Sequence, residues 1–295
     1  QMFVDILPEG PADDGIAYLS FFVEEKEEGD KPEGSSYPTL ILNGEETSAE
    51  QILSDVKAQL DELAEFLEIG EGTVTVEETE DIDWINNWKQ YFHQFTIDDV
   101  LVIPSWEEVQ EEDKDKMILH IDPGTAFGTG MHDTTQLCIR QLRKFITPET
   151  ELLDVGTGSG ILAILSLMFG AKHAVGTDLD ICAIEAVADN CRNNGIAPEQ
   201  FEMMIGNIIT EKEVQDKVGY EKYDIVVANI LADVLVPLTP VIVHQLKPGG
   251  IYITSGIIDD KEQTVVDAVK AAGLEVLEVT YQGEWVSVTA TKRYA

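Results

Sequence analysis

The sequence predicts an α/β protein: a doubly wound, mostly parallel sheet ending in an antiparallel hairpin, preceded by a small α+β domain. Three observations carry this. From residue 117 to the end, short apolar runs alternate with stretches of helical period, a pattern that places helices on both faces of a parallel sheet. Within it, Leu152-Leu153-Asp154-Val155-Gly156-Thr157-Gly158-Ser159-Gly160-Ile161-Leu162-Ala163 reads as a buried strand, a glycine turn and the start of an apolar helix. The last two apolar runs, at 274–280 and 285–290, are separated by Tyr281-Gln282-Gly283-Glu284 and are close enough to pair as a hairpin.

In chain order, Phe3-Val4-Asp5-Ile6-Leu7 reads as a strand closed by Pro8-Glu9-Gly10-Pro11, and alternating Ala17, Leu19, Phe21 and Val23 as a second. Residues 24–38, acidic and broken by Gly, Ser and Pro, are expected to form a solvated loop. Ile52, Val56, Leu60, Leu63 and Leu67 then follow the helical period as far as Gly70, and Ser48 with Gln51 fits a capping box. Thr73-Val74-Thr75-Val76 reads as a strand. Strand, strand, helix, strand is a small α+β domain at 1–80, as a ferredoxin-like unit without its first strand and helix would look. The chain opens at Gln1 directly in an apolar run, so a native N-terminus upstream of it is expected.

Residues 81–116 form a connector. It holds a helix, Trp84-Ile85-Asn86-Asn87-Trp88-Lys89-Gln90-Tyr91-Phe92, whose aromatics recur at helical spacing and suit packing on a neighbouring element. A strand at 100–106 and an acid-rich stretch at 107–116 follow. The sheet domain occupies 117–295, with strands at 117–121, 151–155, 174–178, 201–205, 223–228, 250–255, 274–280 and 285–290.

The composition, 44% hydrophobic and 25% charged, suits a globular chain with a real core. Its 56 acidic residues against 19 Lys and Arg give a formal net charge of −37. Such a surface repels phosphate backbones and anionic membranes and attracts basic partners, so nucleic acid is not expected as a substrate. The three cysteines, Cys138, Cys182 and Cys191, lack Cys-x-x-Cys spacing. They read as buried thiols of a cytoplasmic protein. No apolar run is long enough to span a membrane, and no signal-peptide pattern opens the chain.

Ligands of doubly wound sheets bind beyond the carboxyl ends of the strands, where strand order reverses. Gly156, Gly158 and Gly160 lie there, and their spacing differs from the dinucleotide fingerprint because the third glycine comes one residue early. The Asp154-x-Gly-x-Gly-x-Gly form resembles the first motif of class I methyltransferases, which bind S-adenosylmethionine; a bare strand-to-helix turn is the alternative. Asp178 ends the next strand and can take two ribose hydroxyls or cap the following helix, a role that suits Asp180. Asn207 and Ile208 follow the third strand, where they could meet an adenine or form a polar turn. Asn229 follows the apolar run Val226-Val227-Ala228. There its side-chain oxygen, with a nearby main-chain carbonyl, can accept an amine's N–H groups and orient its lone pair, as in N-P-P-Y nitrogen methyltransferases; capping a helix is the alternative. A Gly/Thr-rich loop, Asp122-Pro123-Gly124-Thr125-Ala126-Phe127-Gly128-Thr129-Gly130-Met131-His132-Asp133-Thr134-Thr135, opens a helix near His132 and can close over a ligand or act as a hinge. His132 has no companion at metal-ligand spacing, so no metal is expected.

Taken together, the Asp122–Thr135 loop, the Asp-Val-Gly-Thr-Gly-Ser-Gly turn and Asn229-Ile230-Leu231-Ala232 closely resemble the PrmA family. Its members methylate the eleventh protein of the large ribosomal subunit. The resemblance runs from Asp81 to the C-terminus, including Asp83-Trp84-Ile85-Asn86-Asn87-Trp88-Lys89, and departs at Thr157, often Cys, and Met131, often Thr. It implies a class I methyltransferase fold with a ferredoxin-like substrate-recognition domain. It also implies transfer from S-adenosylmethionine to lysine and N-terminal amines of a basic ribosomal protein; a monomer is expected. The cofactor would be bound by Thr135, Gly156, Asp178 and Asn229, with Gly158, Gly160, Asn207, Ile208 and Phe127 in support; Asn229 would be catalytic. The alternative is an N-methyltransferase acting on another protein or a small amine.

Overall fold

The computed structural model describes residues 24–25, 39–42, 45–63, 73–74, 93–122 and 132–294. The chain divides into two compact units, Gln1–Trp84 and Ile85–Ala295.

In the first unit, β1 (Glu24–Glu25), β2 (Thr39–Leu42) and β3 (Glu45–Ser48) form an antiparallel sheet, and α1 (Ala49–Leu63) follows. The capping box is half formed. Ser48 Oγ accepts the Gln51 N–H at 3.1 Å, while the Gln51 amide donates to Asp55 one turn along, at 2.9 Å. The β2–β3 hairpin is not among the expected elements, and β1 lies in the stretch expected to be loop. Its sequence signal is Asn43-Gly44 between Thr39-Leu40-Ile41-Leu42 and Glu45, the dipeptide that two-residue hairpins favour. The strands expected at 3–7 and 17–23, residues 75–76 of the expected third strand and the aromatic helix at 84–92 lie outside the described residues.

The second unit opens with β4 (Phe95–Ile97), β5 (Val100–Ile103) and β6 (Met117–His120), then α2 (Asp133–Phe145). Next come β7 (Glu151–Val155), α3 (Ile161–Met168), β8 (His173–Asp178), α4 (Cys182–Asn193) and β9 (Phe201–Ile205). After them run α5 (Lys212–Val218), β10 (Tyr223–Asn229), α6 (Ala232–Ile242), β11 (Leu246–Ile258), α7 (Glu262–Ala271), β12 (Leu274–Gln282) and β13 (Trp285–Lys292). Seven strands build one sheet in the order β12-β13-β11-β10-β7-β8-β9. The pairs from β11 to β9 are parallel, and β13 is antiparallel to both of its neighbours. Strand order runs outward in both directions from the β7–β10 pair, so the reversal falls there.

Both faces of this sheet are buried, which is why its strands are continuous apolar runs. Leu153, Val155, Val226 and Ala228 pack with residues of α6 and α7, including Leu235, Leu238 and Val265. Leu152, Ile225, Val227 and Ile253 pack on the other face with Ile139 and Leu142 of α2 and Ile161 to Leu165 of α3. The architecture is the expected doubly wound class I methyltransferase sheet with its terminal hairpin.

One strand differs from expectation. β6 does not join the large sheet; it pairs in parallel with β5, which pairs antiparallel with β4. All four residues of β5 are buried, and Ile97, Val100, Val102 and Leu119 share a core with α2 and α3. Residues 95–121, expected as connector and first sheet strand, therefore help to build the second unit's core. The open edge of β6 is satisfied by side chains rather than by another strand. His120 N–H donates to Asn194 Oδ1 at 2.8 Å, and Asn194 Nδ2 donates to His120 O at 2.6 Å. Asn190, fully buried on α4, accepts the Asp122 N–H at 2.9 Å and donates to Ser159 O at 2.9 Å. Among the described residues no helix is long and apolar enough to cross a membrane.

Replacing Asn190 by Ala removes its amide's bonds to the Asp122 N–H, Ser159 O and Asp122 O inside the protein, which costs about 2–3 kcal/mol. The expected result is a thermal midpoint lowered by about 5 °C or more. An unchanged midpoint in thermal denaturation would contradict the role given to this amide.

Candidate active site

The sheet brings the ends of β7, β8 and β10 to one edge, and the predicted residues arrive on them. After β7, the N–H groups of Gly156 and Thr157 both donate to Thr177 O, at 2.8 and 3.1 Å, which pins the turn to the neighbouring strand. Gly156 is exposed and Gly158 half-exposed, so bare main chain faces outward at both. The third glycine serves packing: a Cβ at buried Gly160 would lie 3.0 Å from Val187 Cγ2 and 3.2 Å from Phe201 Cε1. Gly156 is constrained from inside as well. It sits at φ 72°, and a Cβ there would come within 2.6 Å of Ile230 Cγ2.

Asp178, at the end of β8, stands one strand away. Its Oδ2 accepts the Gly158 N–H at 2.8 Å and its Oδ1 the Asp180 N–H at 3.0 Å. Each oxygen keeps capacity for a further donor. Asp180 takes the capping role suggested for it, its Oδ1 accepting the Cys182 N–H at 2.9 Å at the start of α4.

Asn229 ends β10, and its Nδ2 donates to Thr135 Oγ1 at 3.1 Å. Thr135 is buried in the first turn of α2. His132 caps that helix, its Nδ1 facing the Thr134 N–H at 3.4 Å, and its ring meets Trp285 edge-on at a centroid distance of 4.7 Å. The structure thus joins two residues 94 positions apart by a direct hydrogen bond.

Asn207 and Ile208 are placed differently. Asn207 Oδ1 accepts the N–H groups of Ile209 and Thr210, at 2.9 and 3.4 Å, the polar turn that was the alternative for it. The Ile208 side chain is buried in the core, and its carbonyl accepts Gln215 Nε2 at 2.9 Å. Phe127 lies outside the described residues. Sequence reasoning passed over Ile230 and Asn190. The first had no polar atom to mark it; the second is one amide among several on a helix.

Beneath the glycine turn lies a carboxyl with no access to water. Asp154 is buried, and burial pushes its pKa up to about 7, against the opposing pull of the Thr157 hydroxyl, 2.7 Å from Oδ2, and of the Ala163 N–H in the first turn of α3. The negative charge of Asp178 raises it further. Among the cysteines only Cys138 is buried, and burial raises its thiol far above the ordinary range. Cys182 and Cys191 are half-buried, contrary to expectation: Cys182 stands at the first position of α4, and Cys191, near its end, packs against the core from its edge; all three are free thiols. Among the described residues no group of three or more His, Cys, Asp or Glu could hold a metal ion.

A family model described as ribosomal protein L11 methyltransferase (PrmA) matches residues 22–293. The chain is 50% identical over 295 residues to a ribosomal protein L11 methyltransferase of Agathobacter rectalis, covering 99% of this chain and 85% of that relative. It is 41% identical over 248 residues to the protein of the same name in Clostridium perfringens strain 13, covering 83% and 76%. A crystal structure of ribosomal protein L11 methylase from Lactobacillus delbrueckii subsp. bulgaricus is similar, with TM-score 0.61 and 29% identity over 69% of this chain and 100% of that one.

The raised pKa of Asp154 fixes a sign. Between about pH 4 and pH 7 the folded chain retains a proton that the unfolded chain has released, so stability falls as pH rises through that window. Asp154→Asn removes the titrating group. Its thermal midpoint should match the wild type near about pH 4.5 and exceed it near about pH 7.5. Parallel curves across that range would contradict a buried, titrating Asp154.

Proposed function

The chain belongs to the ribosomal protein L11 methyltransferase (PrmA) family, and on that premise we propose that it transfers methyl groups from S-adenosylmethionine to lysine side-chain amines and the N-terminal amine of ribosomal protein L11. The observation that carries this reading is the Asn229–Thr135 hydrogen bond at the reversal of strand order. Because Nδ2 is the atom that donates to Thr135, Oδ1 remains the acceptor on the ligand side, and an acceptor is what an incoming amine requires.

The residues present fit the cofactor. Open main chain at Gly156 and Gly158 and the spare acceptor capacity of Asp178 suit its backbone-facing edge and its ribose diol. The Thr135 hydroxyl accepts from Asn229 and keeps its own proton for a carboxylate. When bound, S-adenosylmethionine supplies an electrophilic methyl on sulfur. Asn229 then accepts an N–H of the target amine and turns its lone pair toward that methyl, which is catalysis by orientation. Only the neutral amine has a lone pair to offer. A lysine with pKa near 10.4 is neutral about once in 2,500 at pH 7, and an α-amine near 8 far more often. No dedicated base is invoked; the proton leaves to solvent before transfer.

Residues 1–80, within the first unit, are assigned to substrate recognition and 117–295 to the methyltransferase domain, with the part of the 81–116 connector that forms β4 and β5 built into that domain's core. The acidic surface, at formal charge −37, favours encounter with a basic ribosomal protein. The acting species is proposed to be a cytoplasmic monomer without a nucleic-acid substrate.

Intact-mass spectrometry of purified L11 after incubation with enzyme and S-adenosylmethionine should show steps of about 14 Da, one methyl replacing one hydrogen. Asp178→Ala should abolish them. A folded enzyme that binds cofactor and leaves L11 unshifted would refute the substrate. Asn229→Ala should lower kcat about 100-fold, the cost of losing orientation at the reacting centre; full turnover would refute its role. At fixed cofactor, turnover on lysine targets should climb about tenfold per unit between about pH 6.5 and 8.5, and a flat profile would reveal a dedicated base.

A further inference from the structure

Asn229 is held through its neighbour. Ile230 follows β10, which lies between β7 and β11 in the sheet. Its N–H donates to Ser255 O on β11 at 3.2 Å. One residue on, β11 bulges, and its pairing with β13 shifts between Thr254 and Ile257. At the bulge sits Gly256, at φ 84°, a backbone conformation that a side chain would strain. A Cβ on Gly256 would drive into the Ile230 carbonyl group, reaching within 2.7 Å of its carbon and 3.0 Å of the Ile230 nitrogen. From the opposite strand, a Cβ on Gly156 would come within 2.6 Å of Ile230 Cγ2. The two glycines therefore bring bare main chain against both sides of one residue, and that residue is bonded to Asn229.

We infer that Gly256 and Gly156 are positioning residues for methyl transfer: by gripping Ile230 between β7 and β11 they fix the main chain at Asn229 and hence the direction of its side-chain oxygen. The inference rests on the reading of Asn229 given above. Gly256 touches neither amine nor cofactor. It acts because the peptide following Asn229 cannot rotate without entering one of the two strands. A helix contact completes the restraint, since the Asn229 amide is also tied to Thr135 on α2. Gripped on three sides, the amide cannot turn its oxygen away, and a bulge that adds an irregularity to a long central strand gains a reason to be there. The signal in the sequence is Gly256 inside the apolar run Ile251-Tyr252-Ile253-Thr254-Ser255-Gly256-Ile257-Ile258, where a lone glycine marks a bulge or a close backbone approach.

The test is steady-state kinetics on L11 with cofactor affinity measured by calorimetry. Gly256→Ala should lower kcat by about 30-fold or more, as misplacement by about 1 Å does. The dissociation constant for S-adenosylmethionine and the KM for L11 should stay within about threefold of the wild type, the range in which binding is unperturbed. Ile230→Ala carries the same test without backbone strain and decides it if Gly256→Ala does not fold. It frees the Gly156 side of the grip and should lower kcat about tenfold with both binding constants held. Undiminished kcat in a folded Ile230→Ala enzyme, or a loss carried by cofactor affinity instead of kcat, overturns the inference alone. No methylation of L11 by the wild-type enzyme overturns the reading beneath it.

Discussion

The register between β10 and β7 is the constraint on which everything else depends. Four parallel pairs, from Ile225 opposite Leu152 to Ala228 opposite Val155, set the ends of the two strands level. Asn229 thus emerges beside Gly156, and Ile230 can reach it. A slip of one residue would turn Val226 and Ala228 from the α6–α7 core to the α2–α3 core, so burial on both faces defends the alignment. The hydrophobic core and the chemistry share one register, and neither can drift without the other.

Much of the second unit was legible because a strand buried on both faces must be apolar throughout, and because glycine turns and Gly283 punctuate those runs. Strands β7 and β9 match the expected limits, and the others differ by a few residues at their ends. What could not be read was which strand neighbours which. β6 has the same apolar look as β7, and only Asn190 on α4 and Asn194 just after it, distant in sequence, show that its edge is closed without another sheet strand. Of the proposed site, the sequence points to residues whose chemistry announces itself, such as Asp178 and Asn229, and the structure brings both to one edge of the sheet. The site was illegible where the contribution is the absence of a side chain within a strand, as at Gly256, or an apolar contact, as at Ile230. Ile208 illustrates the reverse: its place after a strand end suggested a ligand contact, and its apolar side chain went into the core.

In a chain with so few cations, their placement is informative. α2 spends three of them along one helix: Arg140 pairs with Asp98, Arg143 with Asp99 and Lys144 with Glu278. Arg140 also donates to Gln282, which in turn reaches Asp133 at the start of the same helix. Exposed pairs contribute little individually, about 0–1 kcal/mol. Their common effect is directional: they brace one helix against the β4–β5 turn and against β12. That helix presents the Thr135 hydroxyl, so the bracing serves the bond to Asn229.

The small sheet of β4, β5 and β6 sets where the chain can be cut and rejoined. A chimera that exchanged everything before residue 117 would remove Val100 to Ile103, all buried, from beneath α2 and leave β6 without the strand it pairs with. A graft made upstream of His93 keeps that sheet whole. For anyone exchanging the first unit among related chains, the transferable piece is shorter than the acid-rich stretch at 107–116 suggests. The boundary is written in packing, well before the point where the composition changes.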